Sequence, residues 1–334
     1  WQGFFAALLH TDIPSPSIIA NSLVAEQPLD IGYVMLAGMA RLTQDNPAAV
    51  VTLPDNTLVA LICFYYANQT AIAEQWLTDI VQHKPSVVAG ALTGFWQQLI
   101  VHGLDYLPGL HTLISQQRND LLTRQLVLPI LCDWRHCRKK ILRDILQVAL
   151  RVADRAPLLA VIQQALQHWN PNEPARYTLW LGAAFLLAPT EYESILADYM
   201  GRSRERILPL LDFVVMVLMN DELNRYDLPA QSFAQLLRII APKFTPQIDR
   251  RGNLCDNTQK VMYLFYRLAK AEDVDASAAL KRLQQVRVMK LYAEVLDEVE
   301  AIQTCAVKPS VEVFVAELVK NGRIKAKCNW SDRT

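Results

Sequence analysis

The sequence predicts an all-α protein, built as an α-solenoid-like array of antiparallel helix pairs. Glycine is scarce, with 11 in 334 residues, and the alternating Val, Ile and Thr runs typical of strands are missing. Apolar residues recur at the i, i+3, i+4, i+7 spacing of amphipathic helices in one segment after another. Because the breaks between segments are short, consecutive helices should lie antiparallel, each covering the apolar stripe of the next.

Residues 1–170 form the first predicted domain, an N-terminal helical array. Proline, serine, aspartate or asparagine stands at the start of most segments, as expected at a helix N-terminus. The predicted helices are 3–10, one from a cap at Ser15 or Ser17 to about Ala25, 28–41, a short piece at 47–51, one opening at Asp55 or Asn56, 68–81, 85–102, 108–117, 120–131, 141–152 and 157–169. No exact repeat period links them, so the array is degenerate.

A second domain of apolar helices is predicted over 171–245. Turn-forming asparagine and proline residues in 170–176 mark the best candidate boundary in the chain. Helices are expected over 178–187, 191–200, 204–219 and 228–240. The third of these is strongly apolar and should run through a core. Pro209 is expected near its start, where proline is tolerated. Residues 241–253 form a second candidate linker.

The third predicted domain, 246–334, contains amphipathic helices. The first carries Leu254, Val261, Phe265 and Leu268 on one side of a 3.6-residue period. Further helices follow after 275, over 288–302 and from Ser310. The three predicted domains together form one continuous superhelix.

The run LCDNTQKVMYLFYRLAKAEDVDASAALKRLQQ (254–285), the helix at 288–302 and KPSVEVFVAELVKNG (308–322) resemble the helical-repeat region of large bacterial NACHT-type (STAND) NTPases. Generic HEAT-like repeats give similar strings. In that family, helical repeats follow an ATPase module and act as a sensor, and many members are implicated in defence against phage. The resemblance covers about 253–322 and implies a ligand-sensing module. The family's ATPase residues cannot be carried over, because no Walker A pattern occurs in this sequence.

The formal net charge is zero, which argues against general attraction to nucleic acid. Its distribution is uneven. Residues 1–108 have two basic and eight acidic side chains, net −6, whereas residues 109–160 have nine and four, net +5. Residues 161–241 are net −3 (six and nine), and residues 242–334 are net +4 (sixteen and twelve). This alternation predicts distinct faces or modules.

One basic cluster is the candidate binding site. It comprises Arg135, Arg138, Lys139, Lys140 and Arg143, with Trp134 beside it. Such a cluster can bind a phosphate backbone or an acidic partner. Acidic residues flank it and apolar residues follow at once, so a solvated helix face is the favoured alternative.

No catalytic, cofactor or metal site is predicted. Cys132, His136 and Cys137 supply only three of the four ligands usual for structural zinc, at an unfamiliar spacing. Nucleophile-elbow and metalloprotease patterns do not occur. The chain is therefore expected not to be an enzyme by itself, although a longer protein could carry an N-terminal ATPase.

Six scattered cysteines favour reduced thiols in a cytoplasmic protein. No apolar run reaches the ~20 residues that span a bilayer. The start at Trp1 and the short basic end suggest a fragment of something longer.

The predicted function is a protein-binding helical-repeat module, specifically the sensor of a STAND-type antiphage NTPase. The alternatives are a standalone HEAT-like scaffold or adaptor, or a helical nucleic-acid-binding or processing domain that uses the 135–143 cluster.

Overall fold

The computed structural model describes residues 6–9, 12–68, 75–110, 120–132, 137–168, 170, 172–201, 203–219, 228–244 and 256–270. Of these residues, 82% are helical and none lies in a strand. They form fourteen α-helices and one 3₁₀ turn, which confirms the all-α prediction. Neighbouring helices pack in pairs, while a regular solenoid repeat stays a prediction. The chain divides into two compact units, Trp1–Ala165 and Leu166–Thr334.

The first helix of the first unit starts where the sequence predicts. In α1, Pro16 occupies the first turn and the Ser15 side chain accepts a hydrogen bond from the Ile18 amide. The helices are α1 (Pro16–Val24), α2 (Asp30–Asp45), α3 (Pro47–Val50), α4 (Asp55–Ala67), α5 (Gln75–His83), α6 (Pro85–Val101), α7 (Asp120–Cys132), α8 (Lys139–Val152) and α9 (Arg155–Gln167), the last of which ends just past the boundary.

Helix α6 is the centre of the first unit. It packs against α1, α4, α5 and α7, and α7 packs in turn against α8. Its apolar residues lie on most sides of the helix rather than on one stripe, and Phe95, Trp96 and Leu99 are fully buried. A helix that is apolar almost all round is stable only when neighbours surround it. Helix α6 therefore holds the core of this unit together.

The segment after α6 is fixed by two contacts with buried aromatic residues. The indole Nε1 of Trp96 donates a hydrogen bond of 2.9 Å to the Pro108 carbonyl. Gly109 has φ +80° and lies directly against the ring of Tyr66 on α4. Glycine suits this position because its φ is positive and no Cβ would fit.

The second unit contains α10 (Pro174–Leu187), α11 (Pro189–Met200), α12 (Arg204–Met219), α13 (Ala230–Ile240), the 3₁₀ turn Ala241–Lys243 and α14 (Asp256–Lys270). Helix α10 packs against α11 and α12, and α14 packs against α12 and α13. Every residue of α10 from Thr178 to Leu187 is buried. At Gly182 a Cβ would lie 3.1 Å from Leu210 and 3.2 Å from Phe213, so α10 and α12 approach closely there.

The structure corrects several helix starts and the place of one proline. Helix α2 begins at Asp30 rather than at 28, whereas α8, α9, α10 and α11 begin two to four residues earlier than predicted. Pro209 lies inside α12, in its second turn, and not in the first turn where its missing N–H would cost nothing. The predicted helices at 108–117 and beyond 270 fall largely or wholly outside the described residues. The domain boundary at 170 stays a prediction, and the one at 245 lies outside the described residues.

Burial predicts a contrast in reactivity between two thiols. Cys63 lies in the core of α4, and desolvation raises its pKa to about 12, whereas Cys132 is exposed. Because the thiolate is the reactive species, iodoacetamide at pH 8 should label Cys132 quickly and leave Cys63 unmodified in the native protein. Peptide-level mass spectrometry over time measures both sites at once. Equal labelling rates for the two cysteines would contradict the packing described for α4.

Candidate functional site

The predicted basic cluster lies at the junction of α7 and α8. Helix α7 ends at Cys132 and α8 begins at Lys139, with Arg138 as its N-terminal cap residue. Lys139 and Lys140 therefore form the first turn of α8, and Arg143 follows in the second. Arg135 and Trp134 are outside the described residues.

Two of the four described cations in the cluster are paired with carboxylates. Arg138 donates to Asp105 at 2.5 Å, and Arg143 donates to its neighbour Asp144 at 3.0 Å. Lys139 and Lys140 are exposed, and neither makes an ion pair with any residue that the structure describes. The first turn of α8 contains no acidic residue, so the lysine charges add to the positive end of the helix dipole. The cluster is thus most positive at Lys139 and Lys140.

Arg138 connects this cluster to the end of α6. Its guanidinium lies 3.4 Å from where a Cβ of Gly103 would be, and it binds Asp105 two residues further on. Gly103 has φ +70°, which turns the chain away from α6 at this point. We call Arg138, Lys139 and Lys140 the basic corner. It therefore lies beside the C-terminus of α6.

An apolar surface adjoins the same helix end. His102, which follows α6, is joined to Asn21 on α1 by a 2.8 Å hydrogen bond between its Nε2 and the Asn21 Oδ1. On the two segments that this bond joins, α1 and residues 101–106, four apolar or aromatic side chains are 38–56% exposed. We call them the apolar patch: Ile18, Val24, Val101 and Tyr106.

Sequence neighbourhood and contacts place the four residues of the patch on two segments that touch each other, α1 and residues 101–106. Ile18 and Val24 lie three residues on either side of Asn21, which is about one helical turn each way. Val101 directly precedes His102, and Tyr106 directly follows the Asp105 that binds Arg138. The basic corner and the apolar patch therefore meet at residues 101–106.

The cysteines of the candidate zinc cluster do not share a helix. Cys132 is exposed at the end of α7, whereas Cys137 is buried before α8 begins. His136 lies outside the described residues. Within the described part of the chain, no group of three His, Cys, Asp or Glu side chains is arranged to hold a metal ion.

The charged clusters of the second unit join its helices to one another. Lys260 on α14 bonds Asp212 on α12 at 2.8 Å and also bonds Asp256. Burial favours a lower pKa for Lys260, but the hydrogen bonds and charges of the two aspartates outweigh it and raise the pKa. Arg206 lies 4.5 Å from the centre of the Tyr199 ring and donates to the Tyr199 carbonyl.

The Arg206 contacts account for one of the arginines at the start of α12. Positive charge at a helix N-terminus opposes the dipole of that helix. The Arg206 side chain instead donates a hydrogen bond to a carbonyl in the last turn of α11, where the unpaired carbonyls attract a cation. A structural role thus accounts for this arginine.

Sequence reasoning located the basic corner but missed the apolar patch. The available signal was α1 itself, where Ile18 and Ile19 are adjacent and cannot both face the same neighbour. The structure buries Ile19 and exposes Ile18. Trp76, Trp96 and Trp180, large side chains that could anchor a binding groove if exposed, are instead buried in the core.

The described residues define an all-α protein of packed helix pairs. Comparison with protein families, with curated proteins and with solved structures gives no match. In the described residues, no helix has the length and apolar character needed to cross a membrane.

Proposed function

We propose that the chain is a protein-binding helical module and that the apolar patch belongs to its contact surface. One observation supports this proposal. Of the eight large hydrophobic side chains exposed in the described residues, four lie on α1 or in residues 101–106, two segments that the His102–Asn21 hydrogen bond joins. Single exposed apolar residues are ordinary, but a contiguous group beside charged residues is typical of a protein-interaction site.

The particular setting we propose is the cytoplasmic sensor region of a bacterial STAND-type NTPase, with a solenoid-like array of helices and without catalytic residues or cofactors of its own. The support is the resemblance over 253–322, of which the structure describes only α14. The coding sequence upstream of Trp1 distinguishes this setting from a standalone scaffold or adaptor. It would encode a P-loop in a STAND-type NTPase and would lack one in a scaffold. The nucleic-acid-binding alternative depends on Lys139 and Lys140, which no described carboxylate neutralises.

Site-specific photo-crosslinking tests the binding proposal directly. A benzophenone amino acid replaces Val101 in the full-length gene, expressed in bacterial cells, and ultraviolet light links it to whatever protein touches the patch. We expect a discrete crosslinked band whose partner mass spectrometry identifies. The matched control carries the same amino acid at Ile195, which is 45% exposed on α11 and lies outside the patch.

The outcome depends on the difference between the two positions. A protein crosslinked at 101 and not at 195, and lost from a Val24→Asp variant, supports the proposal. Identical crosslinks at 101 and 195, or none at 101, would show that the patch is not a contact surface.

A further inference from the structure

We infer that the apolar patch and the basic corner together bind an acidic amphipathic helix of a partner protein. The inference rests on the proposed function and extends it, because it specifies the chemistry of the segment that docks. Two observations support it: the continuity of the surface, and the excess positive charge at one end of it.

Continuity comes from three contacts. The His102–Asn21 hydrogen bond joins α6 to α1, the Arg138 guanidinium lies against Gly103, and Arg138 binds Asp105. Ile18 and Val24 are six residues apart, about 9 Å along α1 at 1.5 Å per residue. The three contacts place α1, residues 102–105 and the start of α8 next to one another, so that one partner helix can contact all three.

The positive charge of the basic corner favours a negatively charged partner. Asp105 neutralises Arg138, but Lys139 and Lys140 have no ion-pair partner among the described residues. Both lysines stand at the N-terminal turn of α8, where unpaired backbone N–H groups also attract negative charge. Carboxylates at one end of a partner helix would pair with both lysines, whereas a basic partner would be repelled.

The apolar patch distinguishes a peptide from a nucleic acid. A phosphate backbone would gain from Lys139 and Lys140 but would leave Ile18, Val24 and Val101 without a matching surface. An amphipathic helix offers apolar side chains at i, i+3 or i+4 and i+7, which can cover these residues while carboxylates at one end of the helix pair with the lysines. The observations therefore favour an acidic peptide.

A random library of displayed 16-residue peptides tests the inference on the purified full chain. We expect enriched sequences to be net acidic and to carry apolar residues at helical spacing. Synthetic copies should bind with a dissociation constant that rises with salt, since exposed charges are screened. Enrichment of basic or uncharged peptides, or no enrichment, would overturn the inference.

Three variants measure how much the apolar patch and the basic corner each contribute to peptide binding. Val101→Asp should weaken binding of the selected peptides about tenfold or more, because it places a charge in the apolar contact. The double variant K139E/K140E should weaken it about tenfold by reversing the charge at the basic corner. The control Ile195→Asp should bind as the wild type does, and circular dichroism should show all three folded.

A labelled 16-base-pair DNA duplex distinguishes the competing polyanion site. DNA binding that K139E/K140E abolishes and Val101→Asp leaves unchanged, together with peptides insensitive to Val101→Asp, would show a phosphate-binding site instead. The proposed function can survive failure of this inference. In that case crosslinking at 101 still yields a partner, but the linked segment is neither acidic nor amphipathic.

Discussion

Gly109→Ala is expected to destabilise the first unit by about 3 kcal/mol or more. Two independent effects contribute. Gly109 has φ +80°, in the left-handed region where an L-residue costs roughly 1–2 kcal/mol. The new Cβ would also overlap the Tyr66 ring, and overpacking of this kind typically costs about 1–3 kcal/mol.

Tyr66 cannot move aside to accept the alanine. It is buried, and its ring makes an edge-to-face contact with Tyr65, which makes another with Trp76. Burial, together with the nearby Tyr65, raises the pKa of the Tyr66 phenol above its usual value, in keeping with an enclosed site. Relief must therefore come from the 107–110 segment, and its displacement would break the hydrogen bond between Trp96 and the Pro108 carbonyl.

Urea unfolding with peptide-resolved hydrogen exchange measures the expected loss. Exchange should accelerate in α4, in α6 and around residue 109. Gly90→Ala is the matched control: this glycine lies inside α6, and a Cβ there meets nothing within 4 Å. Because alanine is the better helix former, Gly90→Ala should stabilise by up to about 1 kcal/mol. Equal unfolding midpoints for the two variants would refute the packing assigned to Gly109.

Helix positions could be predicted well because their signals are local. Proline in the first turn marks the starts of α1, α3 and α6 as predicted. Pro174 and Pro189 mark the starts of α10 and α11 in the same way, but the prediction placed both prolines before their helices. Each signal depends on residues within a few positions of each other. The prediction for Pro209 is less good, because a proline is tolerated only in the first turn and its place therefore depends on where the helix begins. Helix α12 begins at Arg204, so Pro209 falls in the second turn.

The arrangement of the helices could not be predicted, since its determinants are far apart in sequence. Tyr66 and Gly109 meet across 43 residues, and Asn21 and His102 across 81. The same reasoning applies to the candidate site. The charges of Lys139 and Lys140 are visible in the sequence, but the exposure of Ile18 and Val101 results from which helices pack beside them.

Phe213→Ala is expected to lower the free energy of unfolding of the second unit by about 3–5 kcal/mol. Phe213 is fully buried on α12 and faces Gly182 on α10. Removing the phenyl ring leaves a cavity, and Gly182 has no side chain that could fill it. We therefore expect most of the cavity to persist, with the full loss of stability that it causes. Met219→Ala is the control on the same helix, because Met219 is exposed and its truncation should change stability by less than about 0.5 kcal/mol.

A double-mutant cycle with Gly182→Ala tests the close approach of α10 and α12. Alone, the added Cβ would be 3.1–3.2 Å from Leu210 and Phe213, so crowding opposes the gain in helix propensity. In the Phe213→Ala background, the phenyl ring is gone and the methyl group fills part of the cavity. The double variant should therefore be more stable than the sum of the single changes predicts, by about 1 kcal/mol in urea unfolding. Strict additivity would mean that residues 182 and 213 do not share the contact, and that α10 and α12 are separated there.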